Sequence, residues 1–411
     1  MADDTGTPLT ELVRALMGRI GDASRVALAE QALAAYAELD DRDRRSFFVM
    51  LRDDFGVSAE AIEQAYAAWA RDRSATAEAA LFEVVEPRRQ ELLRRLNSAT
   101  GGTARLVRMR ADLLTAIGAD PSLAAVDVDF AHLFRSWFNR GFLAMRRIDW
   151  TSSAALLELI MNYETVHPMT GWADLRRRME PADRRLYAFF HPATGEEPLI
   201  FVEVALTDHV PGTIAEVLTA PVPDRPVPAD TAVFYSINNT LAGLRRVNFG
   251  NFLIKQVVAD LSAELPELHT FVTLSPAPGF AAWLAGSAEP GDRELVDRLG
   301  ADWVNDPGLV DDLRPAVEAA AARYFVTARD HRGRPVDPVA RFHLGNGAAV
   351  WRTNWPADRA PGALRRAYGL MVNYRYEPDH IEANHEAYVR DGVIAHHPDI
   401  AAQLTREREE Q

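Results

Sequence analysis

The sequence has no cysteine among its 411 residues. Disulfide bonds, thiolate nucleophiles and cysteine-bound metal sites are therefore excluded. Basic residues are outnumbered, with 45 Lys and Arg against 59 Asp and Glu and a net charge of -14. Because proteins that bind nucleic acid usually carry a basic face, no nucleic-acid partner is expected. An anionic ligand would have to bind at a local basic patch.

Long apolar runs and targeting signals are missing as well. No apolar run approaches the ~20 residues needed to cross a bilayer, so no membrane partner is expected. The first residues, MADDTGTPLTELV, have neither an apolar signal core nor a basic transit pattern, and REREEQ at the end is no peroxisomal signal. We therefore expect a cytoplasmic protein. Apolar residues still make up 48% of the chain, enough to build the cores of two or more domains.

The first third of the chain has the pattern of amphipathic, alanine-rich helices. Thr76 to Leu96 follows this pattern as one segment with Pro87 inside it. No stretch of this region has the pattern of a strand. We predict an all-helical bundle over residues 1–138, and bundles of this kind often serve assembly.

The rest of the chain, residues 139–411, predicts an α+β domain. Aromatic, proline and glycine content rises, and short β-branched runs appear between helical segments. The residues from Ala401 onward are charged and expected to fray. Strands are predicted at segments that include Leu186–His191, Leu199–Leu206, Arg341–Leu344 and Ala348–Trp355.

A strand, a polar loop and a helix follow one another after Phe234. The loop carries Arg245 and Arg246 and reaches Gly250 just before the helix. Free backbone N–H groups and the positive helix end would then point to one place, which suits a phosphate group. The two arginines could equally be a solvated approach to the helix. Periodicity alone indicates only an anion-binding loop.

Ser275 and His343 could take part in chemistry. Ser275 lies where a predicted strand ends in Pro-Ala-Pro-Gly, which favours a hydroxyl at a sheet edge facing a cleft. Serine before proline is also a common turn residue, and no G-x-S-x-G elbow indicates an acyl-enzyme. His343 alternates with apolar neighbours on a predicted strand. It could move a proton near neutral pH or be a half-buried structural residue.

The segment Asn373-Tyr374-Arg375-Tyr376 alternates polar and aromatic residues. This pattern could place one tyrosine hydroxyl in a cleft and the other ring in a core, although packing is the simpler role for both. The remaining histidines have no H-E-x-x-H or comparable spacing, so no metal is expected.

Seven collinear motifs resemble the malonyl-CoA decarboxylase family. They are Val166-His167-Pro168, GEEPLIFVEVALT from residue 195, FYSI from 234, GLRRVNFGNFLIKQVV from 243, TLSPAPGF from 273, FHLGNGA from 342 and GLMVNYRY from 369. The resemblance implies a helical oligomerisation domain followed by a catalytic domain like the GNAT acyltransferase fold, a mixed sheet flanked by helices. It also implies a homo-oligomer.

The same resemblance implies that the protein decarboxylates malonyl-CoA to acetyl-CoA and CO2 without a metal or other cofactor. It also implies a role in fatty acid metabolism. It places the catalytic serine on Ser275, the catalytic histidine on His343 and the tyrosine of the last motif on Tyr376. Within the CoA loop, Arg246 and Asn248 stand where animal members carry a glycine and a glutamate. Contacts with CoA or the malonyl group are expected from Arg245, Arg246, Val247, Asn248, Phe249, Gly250, Asn251 and Pro276.

Two other functions use the same features. A GNAT-type transfer of an acyl group to an amine would need the same CoA loop. A catalytically silent CoA sensor could use the helical domain to recruit partners. Incubation with malonyl-CoA alone, without an acceptor, separates decarboxylation from transfer.

Overall fold

The protein divides into two compact units. The first comprises residues 1–144, 190–199 and 239–249, and the second comprises residues 145–189, 200–238 and 250–411. The computed structural model describes residues 8–19, 21–219, 221, 228–247, 253–300 and 302–409. None of the helices within these ranges is long and apolar enough to cross a membrane. The domain boundary between residues 138 and 139 stays a prediction.

The first unit is helical, as the apolar periodicity predicts. Its α-helices are α1 (Pro8–Leu16), α2 (Asp22–Ala37), α3 (Asp41–Asp53), α4 (Ala59–Asp72), α5 (Ala75–Val85), α6 (Arg88–Leu96), α7 (Gly102–Ala119) and α8 (Ala124–Trp137). The predicted single segment around Pro87 is wrong, because Pro87 is the N-cap of α6 and separates it from α5. Proline has no N–H, and its ring clashes with the preceding helical turn.

A mixed eight-stranded sheet forms the framework for the rest of the chain. Its strands are β1 (Ala144–Ile148), β2 (Arg184–Phe190), β3 (Ile200–Thr207), β4 (Thr231–Asn239), β5 (Thr270–Thr273), β6 (Ser275–Pro276), β7 (Ala349–Asn354) and β8 (Met371–Tyr376). They lie in the order β1-β2-β3-β4-β5-β8-β6, with β7 also paired to β8. The predicted pairing of β2 with β3 is confirmed, and it is antiparallel.

The centre of the sheet changes strand direction. β4 and β5 are parallel, with Thr231 opposite Thr270 and Phe234 opposite Thr273. β8 then runs antiparallel to β5, β6 and β7. Only Leu274 lies between β5 and β6, and β8 pairs with both strands and fixes the corner between them.

The second unit also carries α-helices. They are α9 (Ala154–Tyr163), α10 (Trp172–Met179), α11 (Ile214–Leu218), α12 (Leu253–Glu264), α13 (Phe280–Ala285), α14 (Pro290–Leu299), α15 (Pro307–Ala322), α16 (Pro338–Gly345), α17 (Pro361–Ala367), α18 (Ile381–Asp391) and α19 (Pro398–Glu409). The predicted fold class, a helical region followed by a mixed sheet with helices, is therefore confirmed.

Two local predictions are wrong. Arg341–Leu344 is not a strand but part of α16, because Asp337 caps the helix and Pro338 takes its first position. These start signals outweigh the apolar alternation of the short segment. The chain after Ala401 does not fray at once, because α19 continues to Glu409. Ile400 anchors that helix with a side chain that is only 1% exposed.

Candidate active site

Ser275, His343 and Tyr376 form one buried chain of hydrogen bonds. Ser275 Oγ lies 3.1 Å from His343 Nε2, and the Tyr376 hydroxyl lies 2.8 Å from His343 Nδ1. The three residues are 6%, 2% and 1% exposed. They come from β6, α16 and β8, so the fold brings together the three residues that the sequence resemblance named as catalytic.

The sheet positions Ser275. Ser275 pairs with Val372 of β8, and the following Pro276 pairs with Met371. The Leu274 N–H donates to the Phe234 carbonyl, which ties the corner back to β4. Pro276 is half-buried. The Ser275 hydroxyl therefore sits on a short strand that is fixed from both sides.

The cap of α16 positions His343. Asp337 Oδ1 accepts a 2.7 Å hydrogen bond from the Ala340 N–H, and Asp337 Oδ2 accepts one of 2.7 Å from the Tyr324 hydroxyl. The same hydroxyl lies close to Gly279, where a Cβ would come within 2.6 Å of it. Gly279 ends the turn after Ser275. Tyr324 thus contacts both the serine corner and the start of the histidine helix.

Burial determines the charge of His343. It lowers the pKa of the ring to about 3. The imidazole is therefore neutral at physiological pH, and a role of His343 in proton transfer stays a prediction. A neutral imidazole carries a single N–H and leaves its other nitrogen as an acceptor.

The hydrogen-bond partners determine which nitrogen carries that hydrogen. The Ser275 hydroxyl donates to Thr273 Oγ1 at 2.9 Å, which uses the one hydrogen that Ser275 has. In this arrangement Nε2–H of His343 donates to Ser275 Oγ. Nδ1 accepts from the Tyr376 hydroxyl, whose pKa burial raises well above its usual value.

Tyr374 and Tyr376 lie on the same side of β8. The Tyr374 ring stacks on the His343 ring with centroids 4.6 Å apart and an interplanar angle of 23°. Both side chains are buried and lie against His343, in keeping with packing, the simpler of the two roles considered from the sequence. Residues two apart on a strand share a face. Stacking on Tyr374 fixes the plane of the imidazole, and the hydrogen bond with the Tyr376 hydroxyl fixes the position of Nδ1.

Sequence reasoning missed Thr273 and Asn373. Thr273 Oγ1 accepts from both the Ser275 hydroxyl and the Tyr374 N–H. Asn373 Nδ2 donates to the Thr273 carbonyl at 2.7 Å. Both residues are fully buried. The available signal was the two-residue spacing of Thr273 and Ser275, which predicts a shared face in extended chain.

The predicted CoA loop is only partly described. Arg245 and Arg246 are exposed, whereas Val247 is buried. Arg246 adopts φ = +64°, a left-handed conformation that is uncommon for a residue with a side chain. The predicted contacts Asn248, Phe249, Gly250 and Asn251 lie outside the described residues.

Two family models match the sequence and together cover most of it. The "Malonyl-CoA decarboxylase N-terminal domain" matches residues 55–138, and the "Malonyl-CoA decarboxylase C-terminal domain" matches residues 141–411. Among curated proteins, mitochondrial malonyl-CoA decarboxylase of Mus musculus is 35% identical over 347 residues, 76% of this chain and 70% of that protein. The corresponding protein of Anser anser anser is 34% identical over 337 residues, 74% of this chain and 66% of that protein.

Solved structures give the same result. The malonyl-CoA decarboxylase of Rhodopseudomonas palustris matches with a TM-score of 0.91 and 50% identity, over 95% of this chain and 98% of that one. The malonyl-CoA decarboxylase of Agrobacterium vitis matches with a TM-score of 0.90 and 48% identity, over 96% of this chain and 99% of that one.

Proposed function

The chain belongs to the malonyl-CoA decarboxylase family, and we propose that it converts malonyl-CoA to acetyl-CoA and CO2. This is a carboxy-lyase reaction. The relatives named above are decarboxylases, which favours this reaction over the transfer of an acyl group to an amine. The observation that carries the proposal is the buried hydrogen-bonded chain of Ser275, His343 and Tyr376.

The reaction makes three demands on a protein. Breaking the bond between C2 and the carboxylate leaves its electron pair on C2 as a thioester enolate, so the thioester oxygen needs a hydrogen-bond donor. The departing carboxylate must be oriented, and C2 must then receive a proton. None of these steps needs a metal or another cofactor.

Ser275 orients the malonyl carboxylate. Its hydroxyl turns from Thr273 to the carboxylate when substrate binds, which replaces one hydrogen bond by a stronger one to a charged acceptor. The half-buried ring of Pro276 gives an apolar wall beside it. An apolar wall disfavours the charged carboxylate more than the neutral CO2 that leaves.

His343 delivers the proton to C2 from Nε2. A neutral imidazole is a weak acid, but an enolate carbon is a strong base and needs only a weak acid. As Nε2 loses its hydrogen, Nδ1 takes the hydrogen of the Tyr376 hydroxyl 2.8 Å away. The chain regains one proton from water after the product leaves. The Tyr376 hydroxyl already donates to His343, and only 1% of Tyr376 is exposed. The hydrogen bond to the oxygen of the thioester enolate therefore comes from a backbone N–H.

The loop with Arg245, Arg246 and Val247 holds the CoA pyrophosphate. The two arginines are exposed and give this loop local positive charge on a chain whose net charge is -14. Asn248, Phe249, Gly250 and Asn251 complete this loop in the sequence. Backbone N–H groups and arginine forks are the usual partners of phosphate oxygens.

The helical region, residues 1–138, assembles the protein into a homo-oligomer. Helices α4 and α5 have no buried residue, although they carry large apolar side chains. Phe82 is 72% exposed and Tyr66 is 57% exposed. Such side chains on a monomer favour contact with another protein surface, and a second copy supplies the same apolar face.

A cytoplasmic location stays a prediction from the sequence, and cell fractionation tests it.

Incubation with malonyl-CoA alone tests the proposed reaction. We expect acetyl-CoA and CO2 in equal amounts with no added acceptor, because the proton on C2 comes from the protein and water. The measurement is chromatography of the thioesters together with trapping of CO2. Product that forms only when an amine is added would assign the transferase function instead. CoA binding without any product would assign the sensor.

A further inference from the structure

Arg110 is a fully buried arginine of helix α7 that the proposed chemistry does not use. Only 1% of it is exposed. Its Nε and Nη2 donate to Asp127 at 2.7 and 3.3 Å. Its Nη1 donates to two carbonyl oxygens, that of Gly243 at 2.7 Å and that of Arg245 at 3.0 Å. These carbonyls belong to the turn that leads into the proposed pyrophosphate loop.

The backbone of this turn also touches α7 directly. A Cβ on Gly243 would lie 1.8 Å from the Val107 carbonyl oxygen, so only glycine allows this approach. Leu244 and Val247 are buried on either side of the exposed pair Arg245 and Arg246. The turn is therefore held on one side by α7 and directs its two arginines to the other.

The conformation at Arg246 needs such support. Its φ of +64° is a left-handed conformation that crowds the Cβ against the backbone, and strained residues persist only where their surroundings hold them. Charge-assisted hydrogen bonds to the carbonyls of Gly243 and Arg245 fix the backbone just before it. Asp127 in turn fixes the plane of the Arg110 guanidinium.

We propose that Arg110 is a positioning residue for nucleotide recognition: it holds the loop so that Arg245 and Arg246 meet the phosphates of the CoA moiety. The helical region thereby contributes to substrate affinity in addition to assembly. This inference rests on the proposed function of the loop. Arg110 does not touch the substrate, so it acts on the nucleotide end and leaves the chemistry at the malonyl end unchanged.

The test compares two substrates of the full-length protein. Malonyl-CoA carries the nucleotide, whereas malonyl-pantetheine carries the same thioester without it. Arg110→Met removes the donors and keeps most of the volume. We expect it to raise KM for malonyl-CoA about tenfold, with kcat and all constants for malonyl-pantetheine unchanged. Arg110→Lys should recover part of the loss, because an ammonium still donates to one carbonyl.

Two further variants complete the test. Arg108→Met changes an exposed arginine of the same helix, 67% exposed at its side chain, and should leave both substrates unaffected. Asp127→Asn should raise KM for malonyl-CoA by a smaller factor, and it decides the question if Arg110→Met does not fold. Equal losses for both substrates, or an unchanged KM for malonyl-CoA, would overturn the inference.

The wild-type protein separates this inference from the proposed function. If it decarboxylates neither thioester, the proposed reaction is wrong. If it decarboxylates both with the same KM, the loop does not recognise the nucleotide. The role of Arg110 is supported only if the wild type has a lower KM for malonyl-CoA than for malonyl-pantetheine and Arg110→Met removes this difference by raising KM for malonyl-CoA alone.

Discussion

The neutral ring of His343 is the feature that most constrains the chemistry at the scale of single residues. Within the part of the chain that the structure describes, its ring has the hydroxyl groups of Ser275 and Tyr376 as hydrogen-bond partners and no carboxylate. Burial therefore acts on its pKa without an opposing charge, and the pKa falls to about 3. In the proposed reaction the histidine would therefore act as a neutral hydrogen-bonded acid rather than as an imidazolium.

The pH profile of the reaction follows from this shift. A histidine with its pKa lowered to about 3 stays neutral as the pH falls from about 8 to about 5. We therefore expect log(kcat/KM) for malonyl-pantetheine, which lacks the phosphates of CoA that titrate in this range, to show no inflection near pH 6.5. Circular dichroism over the same range serves as the control for folding. A loss of activity on the acid side with a midpoint near pH 6.5 would contradict a neutral His343.

At the scale of elements, α16 depends on its N-cap residue. Asp337 is fully buried and joins the Ala340 N–H to the Tyr324 hydroxyl. Asp-Pro is a readable start signal, so the helix that carries His343 could have been predicted from the sequence. The apolar alternation of the short segment also fits a strand, but the start signal outweighs it. The position of Ser275 beside His343 and Tyr376 requires the pairing of β6 with β8, which no local pattern contains.

Replacement of Asp337 tests this cap. Asp337→Ala should lower the free energy of unfolding by about 1–2 kcal/mol, because the first turn of α16 loses its acceptor. It should also lower kcat more than it raises KM, since His343 loses its position. Asp337→Ser keeps a capping oxygen and should lose less of both. Urea denaturation and steady-state kinetics measure the two effects. An Asp337→Ala variant with wild-type stability and kcat would exclude a role of the cap.

At the scale of the whole molecule, periodicity predicts the helical third and the β2–β3 hairpin because both are local features. Long-range contacts are different. Arg110 reaches Gly243 across 133 positions of sequence, and nothing near either residue indicates the contact. The resemblance to a family located Ser275, His343 and Tyr376, but it did not indicate Thr273 or Asn373, whose role depends on the buried hydrogen bonds around Ser275.

Assembly is tested on the α4–α5 surface. Phe82→Ser removes the most exposed large apolar side chain of that surface and should shift the protein to a smaller species in light scattering. Val128→Ser is the matched control, because Val128 on α8 is 63% exposed and lies outside this surface. Unchanged mass in Phe82→Ser would show that α4 and α5 do not form the interface.

The measurement that tests the central claim most directly is turnover of malonyl-CoA by His343→Ala beside its affinity for CoA. Removal of the general acid should reduce acetyl-CoA formation by about 10²–10⁴-fold. CoA affinity, measured by calorimetry, should stay near the wild-type value. His269→Ala, which changes an exposed histidine, should behave as wild type in both. Full turnover in His343→Ala would contradict the assignment of His343 as the proton donor.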